Sequence, residues 1–127
     1  MKKFFVFSFL LLISSLVSNI HAEALKLRAS AMAYQITDNY GNWKKWSDWQ
    51  NSSALIVYND DRFKIYDDDI TLIFDTVSFE NGDDLKYHCI DEEGKQCTIR
   101  VHKEGEDFQL YIETNNTKIV YSVRKLY

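Results

Sequence analysis

Three turn signals in the C-terminal half of the chain prescribe the pairing of four strands, and their mutual agreement leaves few folds open. Asp91-Glu92-Glu93-Gly94-Lys95 reads as a three-residue hairpin loop with Gly94 in the left-handed position. It pairs Cys89 with Cys97, Tyr87 with Ile99 and Leu85 with Val101. Glu104-Gly105 closes a second hairpin that sets Val101 opposite Phe108, Ile99 opposite Leu110 and Cys97 opposite Ile112. Asn115-Asn116 closes a third, pairing Ile112 with Ile119, Leu110 with Tyr121 and Phe108 with Val123. Every paired residue is apolar and lies on one face. A one-residue slip at any turn would send that strand's apolar set into water, so the pattern predicts a four-stranded antiparallel meander.

The first half alternates less cleanly. Strands are expected near Arg28 to Thr37, Trp43 to Trp49, Ala54 to Tyr58, Arg62 to Tyr66 and Ile70 to Val77, with turns at Asn59 to Asp61 and Asp67 to Asp69. The run Ala54 to Tyr58 does not alternate, so its register against Phe63 and Ile65 stays open. Eight or nine short strands without helical periodicity imply an all-β fold, a small antiparallel β-barrel or a two-layer β-sandwich, with the barrel preferred.

The N-terminus carries a different signal. Lys2 and Lys3 precede an apolar run of 14 residues, Phe4 to Val17, broken only by Ser8, Ser14 and Ser15. A membrane span needs about 20 apolar residues, so this run reads as the core of a Sec-type signal peptide, residues 1–22, cleaved after Ala22 or alternatively after Ala24. The single domain is then 23–127, with no membrane span in the mature chain. No cysteine follows the apolar run to accept lipid, which argues against a lipoprotein. The expected location is periplasmic or extracellular. Losing Lys2 and Lys3 reduces 15 basic residues to 13 against 19 acidic ones, a net charge of −6. Such a surface repels nucleic acid, which is bound through an excess of lysine and arginine.

Cys89 and Cys97 are the only cysteines. Placed opposite each other in an exported chain, they predict a disulfide, with two buried free thiols as the alternative. Their spacing is not C-x-x-C, which argues against redox catalysis. Of the two histidines in the mature chain, His88 lies opposite Thr98. His102 sits four residues beyond Thr98, so the rings start roughly 13 Å apart and share no metal. His102 falls opposite Asp84 on one side and Asp107 on the other, an arrangement that reads either as an acid–base dyad or as a surface ion pair. The acidic runs Asp60-Asp61, Asp67-Asp68-Asp69, Asp83-Asp84 and Asp91-Glu92-Glu93 fall at turns and lack the D-x-D-x-D-G spacing of a calcium loop. No G-x-S-x-G, H-E-x-x-H or phosphate-cradling glycine loop is present. Neither a metal nor a cofactor is expected.

Trp43, Trp46 and Trp49 put three indoles into seven residues beside Lys44, Lys45 and Asp48. On a regular strand Trp43 and Trp49 would share one face and Trp46 the other, so part of the cluster would lie in water. Exposed aromatics on a small exported β domain suit stacking on a glycan or anchoring a protein partner, whereas a covered rim would make them core. The W-x-x-W spacing is similar to that of thrombospondin-type repeats, but those need more cysteines and a layered arginine set that this chain lacks.

Across Trp46-Ser47-x-Trp49, Ile65-Tyr66, Cys89-x-Asp91-x-x-Gly94-x-x-Cys97-x-Ile99-Arg100, Gln109-Leu110-Tyr111-Ile112 and Tyr121-x-Val123, the chain resembles a group of short bacterial one-domain proteins of unassigned function. That resemblance implies no activity, cofactor or site residue. The residues themselves favour a non-enzymatic exported binding module contacting a protein or glycan through Trp43, Trp46 and Trp49. The rival is a small hydrolase using His102 with Asp84 or Asp107, and a further alternative is a secreted inhibitor of a partner protein.

Overall fold

The computed structural model describes residues 24–126; the expected leader, residues 1–22, lies outside them. Nine strands follow one another in chain order: β1 (Leu25–Ile36), β2 (Gln50–Asn51), β3 (Leu55–Asn59), β4 (Arg62–Asp67), β5 (Ile70–Asn81), β6 (Leu85–Asp91), β7 (Gln96–Glu104), β8 (Asp107–Glu113) and β9 (Thr117–Lys125). Each of β3 to β9 pairs antiparallel with its chain neighbour, and β1 pairs with both β3 and β9. The result is a closed eight-stranded up-and-down barrel with β2 as an extra rung on β1. Closure removes the free sheet edges that a sandwich would keep.

Local chemistry accounts for the turns. Asp60 and Asp61 both adopt positive φ, 54° and 59°, between the paired residues Asn59 and Arg62, the two-residue geometry that matches strand twist. At the β6–β7 turn Gly94 has φ +81°, with its N–H donating to Asp91 O at 3.0 Å. Cys89↔Cys97, Tyr87↔Ile99 and Leu85↔Val101 pair as expected, and so do Ile112↔Ile119, Leu110↔Tyr121 and Phe108↔Val123. The middle hairpin differs. Its turn is Gly105-Glu106, with Gly105 at φ +64° and Glu104 paired to Asp107, which sets Val101 opposite Leu110 and Ile99 opposite Ile112. The observed register is two residues away from the expected one. A slip of two preserves the inward face, so alternation alone does not detect it.

The barrel interior is filled. Ile65, Ile99 and Leu110 have no measurable exposure, and Ile56, Phe63, Ile112, Tyr121 and Val123 pack with them. Tyr121 buries its ring and donates its hydroxyl to Asp67 Oδ2 at 3.0 Å, the partner a buried phenol needs. Phe63, Tyr58, Tyr87 and Phe79 form an aromatic chain at one end, with successive centroids 4.4 to 5.3 Å apart. Among the described residues no helix is long and apolar enough to cross a membrane. The buried side chains of the core are all apolar or aromatic, or cysteine.

The expected disulfide is not formed: Cys89 and Cys97 are both free and buried. Asp91 N–H bonds Lys95 O at 2.9 Å, so two residues further along Cys89 and Cys97 again form a hydrogen-bonded pair, the wider of the two antiparallel pair types. Side chains at such a pair stand further apart than at the narrow pair. The neighbouring Cys89 sulfur, with burial, pushes the Cys97 thiol above its ordinary range.

Candidate functional site

The expected strand Trp43 to Trp49 does not form; only an isolated bridge, Thr37↔Trp43, and the short β2 are regular there. The chain instead reverses at Asp38, whose Oδ1 accepts the Asn42 N–H at 3.0 Å and the Tyr40 N–H at 2.8 Å. These two backbone donors hold the Asp38 carboxyl below its ordinary range. The returning segment then runs along β1 with a stagger. Lys44 N–H bonds Ile36 O at 2.9 Å, Ser47 N–H bonds Tyr34 O at 2.8 Å, and Gln50 pairs with Met32. Three residues of the return therefore match two of β1, and Ser47 Oγ locks the step by accepting the Tyr34 N–H at 2.9 Å.

This stagger overturns the expected separation of the tryptophans. Each indole immediately precedes an anchored residue, so Trp43, Trp46 and Trp49 occupy equivalent positions in a three-residue repeat. The W-x-x-W-x-x-W spacing was the available signal, and a strand period of two misreads it. None of the three enters the barrel core. They are 39%, 41% and 53% exposed, respectively.

The first two indoles meet the outer wall. Lys118 Nζ sits 4.5 Å from the centroid of the Trp43 ring, and Trp46 meets Tyr111 edge-on at 6.4 Å. Ala33 pairs with Val120, and Val120 with Tyr111, as an outward-facing row across β1, β9 and β8. Both Ala33 and Val120 are nearly inaccessible, at 2% and 4%. An indole reaching Tyr111 from the free edge of β1 crosses this row, which explains why two outward residues are buried. Sequence alternation does not reveal this small outer core.

Tyr111 also links the tryptophans to a charged cluster. The Arg100 guanidinium stacks 4.0 Å above its ring and bonds Asp84 Oδ2 at 2.9 Å, with Glu113 Oε1 at 3.5 Å. Asp84 Oδ1 takes His102 Nδ1 at 2.7 Å, and His102 Nε2 meets Glu104 Oε2 at 3.2 Å. His102 is thus joined to Asp84 as expected, but not to Asp107. With the observed register His102 lies opposite Gln109, and Asp107 pairs with Glu104. Hydrogen bonding to Asp84 raises the His102 pKa above 6.5, while His102 and then Arg100 hold Asp84 below its ordinary range. Both imidazole nitrogens face carboxylates. In geometry the arrangement is a cluster of ion pairs on the outer wall. On the neighbouring strand His88 Nε2 bonds Glu80 Oε2.

Comparison of the chain with protein-family models, with curated proteins and with solved structures finds no match.

Proposed function

We propose that this is an exported, non-enzymatic binding module whose contact face is the tryptophan repeat on the outer wall. One observation carries the reading. Eight strands close and fill the barrel without residues 38–49, yet that segment holds all three tryptophans, each 39% exposed or more. Large apolar side chains held in water by an ordered backbone are the usual mark of a recognition surface. Lys44, Lys45 and Asp48 keep its rim wet, and the Asp38 turn and Ser47 step fix its shape before any partner arrives, which lowers the ordering cost of binding.

The experiment is retention of envelope and secreted components from a bacterial host on immobilised mature protein. The wild type should hold a component that the Trp43→Ala and Trp49→Ala variants lose, while Lys64→Ala on β4 keeps it. Retention indifferent to both tryptophans would refute the assignment. Export is read from the N-terminus of the folded product, expected at Glu23 or Leu25 outside the cytoplasm; Met1 there would refute it.

A further inference from the structure

We infer that Asn115, at the tip of the β8–β9 turn, accepts an N-linked glycan, transferred outside the cytoplasm from a polyprenyl-diphosphate oligosaccharide. The site rests on export, one part of the proposed function, and not on the tryptophan repeat.

The chain holds two N-x-S/T sequences, Asn51-Ser52-Ser53 and Asn115-Asn116-Thr117. That pattern is the minimum an N-oligosaccharyltransferase reads, a surface asparagine with a hydroxyl residue two positions on. Bacterial transferases of this kind also select an acidic residue two positions before the asparagine, and only the second sequence has one. It reads Glu113-Thr114-Asn115-Asn116-Thr117, whereas Trp49 stands at the corresponding place before Asn51. The fold separates the two sites in the same sense. Asn51 is paired with Ala31 in the sheet, while Asn115 and Asn116 form the two-residue loop between Thr114 and Thr117.

Polar groups on either side of Asn115 hold the turn. Thr114 N–H donates to Thr117 O at 2.8 Å, Thr114 Oγ1 accepts the Thr117 N–H at 3.0 Å, and the Asn116 carbonyl accepts the Thr37 N–H at 3.1 Å. The Asn115 carboxamide enters none of these bonds, and the residue is exposed. Neither asparagine has a positive φ, so the backbone of the turn does not itself call for asparagine there. Asn115 stands on the rim of an open surface hollow of about 560 Å³, where an attached sugar meets space and not packed wall.

In the folded state Glu113 is engaged by Arg100 at 3.5 Å, and Thr117 Oγ1 donates to Asn116 Oδ1 at 3.2 Å. A transferase that reads both residues must meet them before β8 and β9 dock, so transfer belongs to the chain as it is exported. The exposed turn then carries the product without rearrangement. In the step, Asn115 Nδ2 forms a bond to the anomeric carbon of the reducing-end sugar as that carbon's bond to the lipid diphosphate breaks. The diphosphate leaves with the electron pair, and one amide proton passes to solvent.

The test expresses the full chain in a bacterial host that carries a periplasmic N-oligosaccharyltransferase with its lipid-linked donor, and reads intact mass and peptide maps. One glycan per chain is expected, on the peptide containing Asn115, and none in a host whose transferase is inactive. Asn115→Gln and Thr117→Val should abolish the mass gain, and Thr117→Ser should keep it. Glu113→Gln should lower occupancy severalfold, with Glu113→Asp restoring it, and Asn51→Gln should change nothing. A leaderless, exported chain of unmodified mass would overturn the site and leave export standing, and so would a glycan confined to Asn51. A chain that keeps its leader inside the cell would refute export and this site together. Neither result touches the tryptophan face, which retention on immobilised protein decides.

Discussion

Trp46 should be the most structurally important of the three tryptophans, and Trp46→Ala measures by how much. Its residue is 41% exposed, so about three-fifths of a side chain that buries at most ~250 Å² is covered, roughly 150 Å². At ~25 cal/mol per Å² this gives an upper bound near ~4 kcal/mol. The denatured chain already shields part of that area, and alanine keeps its own Cβ contact, which brings the expected loss to about 2 kcal/mol. The edge-on contact with Tyr111 accounts for about 1 kcal/mol of this. For a domain of this size the melting temperature should fall by roughly 8 to 16 °C. Urea denaturation of Trp46→Ala, Tyr111→Ala and the double variant supplies the cycle, whose coupling should be near 1 kcal/mol. Trp49→Ala, which uncovers less, should cost about half as much as Trp46→Ala. A Trp46→Ala variant within about 0.5 kcal/mol of the parent, or a coupling near zero, would refute the idea that this indole seals Ala33 and Val120 against the wall.

The ion cluster should give stability a defined pH dependence. His102, raised above 6.5, contributes fully below its unfolded pKa, and that contribution disappears as pH rises through its folded value. Asp84, lowered from 3.8, contributes above its unfolded pKa and loses its effect as pH falls through its folded value. The clasp is therefore strongest between these limits, and His102→Gln should flatten the alkaline side of the profile; an unchanged slope, or an NMR-titrated His102 pKa below 6.5, would count against it. The cysteines give a third check. With both thiols free and buried, a thiol reagent should react slowly with the folded protein and titrate two groups per chain in denaturant, whereas none under non-reducing conditions would restore the disulfide.

The parts of this fold that could be read from the sequence are those in which turn chemistry and strand period coincide. Gly94 and the pair Asn115-Asn116 pinned two registers, because there the turn residues single out one of the registers, spaced two residues apart, that alternation leaves open. Glu104-Gly105 did not, since moving a two-residue turn one position along the chain shifts the register by two and leaves the same faces inward; the true turn, Gly105-Glu106, moved Asp107 away from His102. The Asp84–His102 contact survived because it depends on the β6–β7 register alone. Partners that converge from both sides of one strand were beyond reach: nothing local to Arg100 indicates that Asp84 beside β6 and Glu113 and Tyr111 on β8 all meet it. The tryptophan segment failed for a different reason, a backbone period of three where a strand's two was assumed.

That period follows from how β1 is used. One edge of β1 pairs with β9 over nine residue pairs and closes the barrel. Its other edge is taken by β3 only from Leu25 to Arg28, so the stretch from Ser30 to Ile36 would remain an open edge of unpaired backbone groups. The return segment covers it, with Ser52, Ser47 and Lys44 donating to Ser30, Tyr34 and Ile36. Because it is staggered rather than paired residue for residue, its side chains need not alternate into and out of a core, and large aromatic residues can recur on one side at every third position. The same hydrogen bonds that protect the edge therefore carry the indoles. On the proposed reading a bound ligand would press on a segment anchored to the strand that closes the barrel, so that recognition and closure of the fold would share one support.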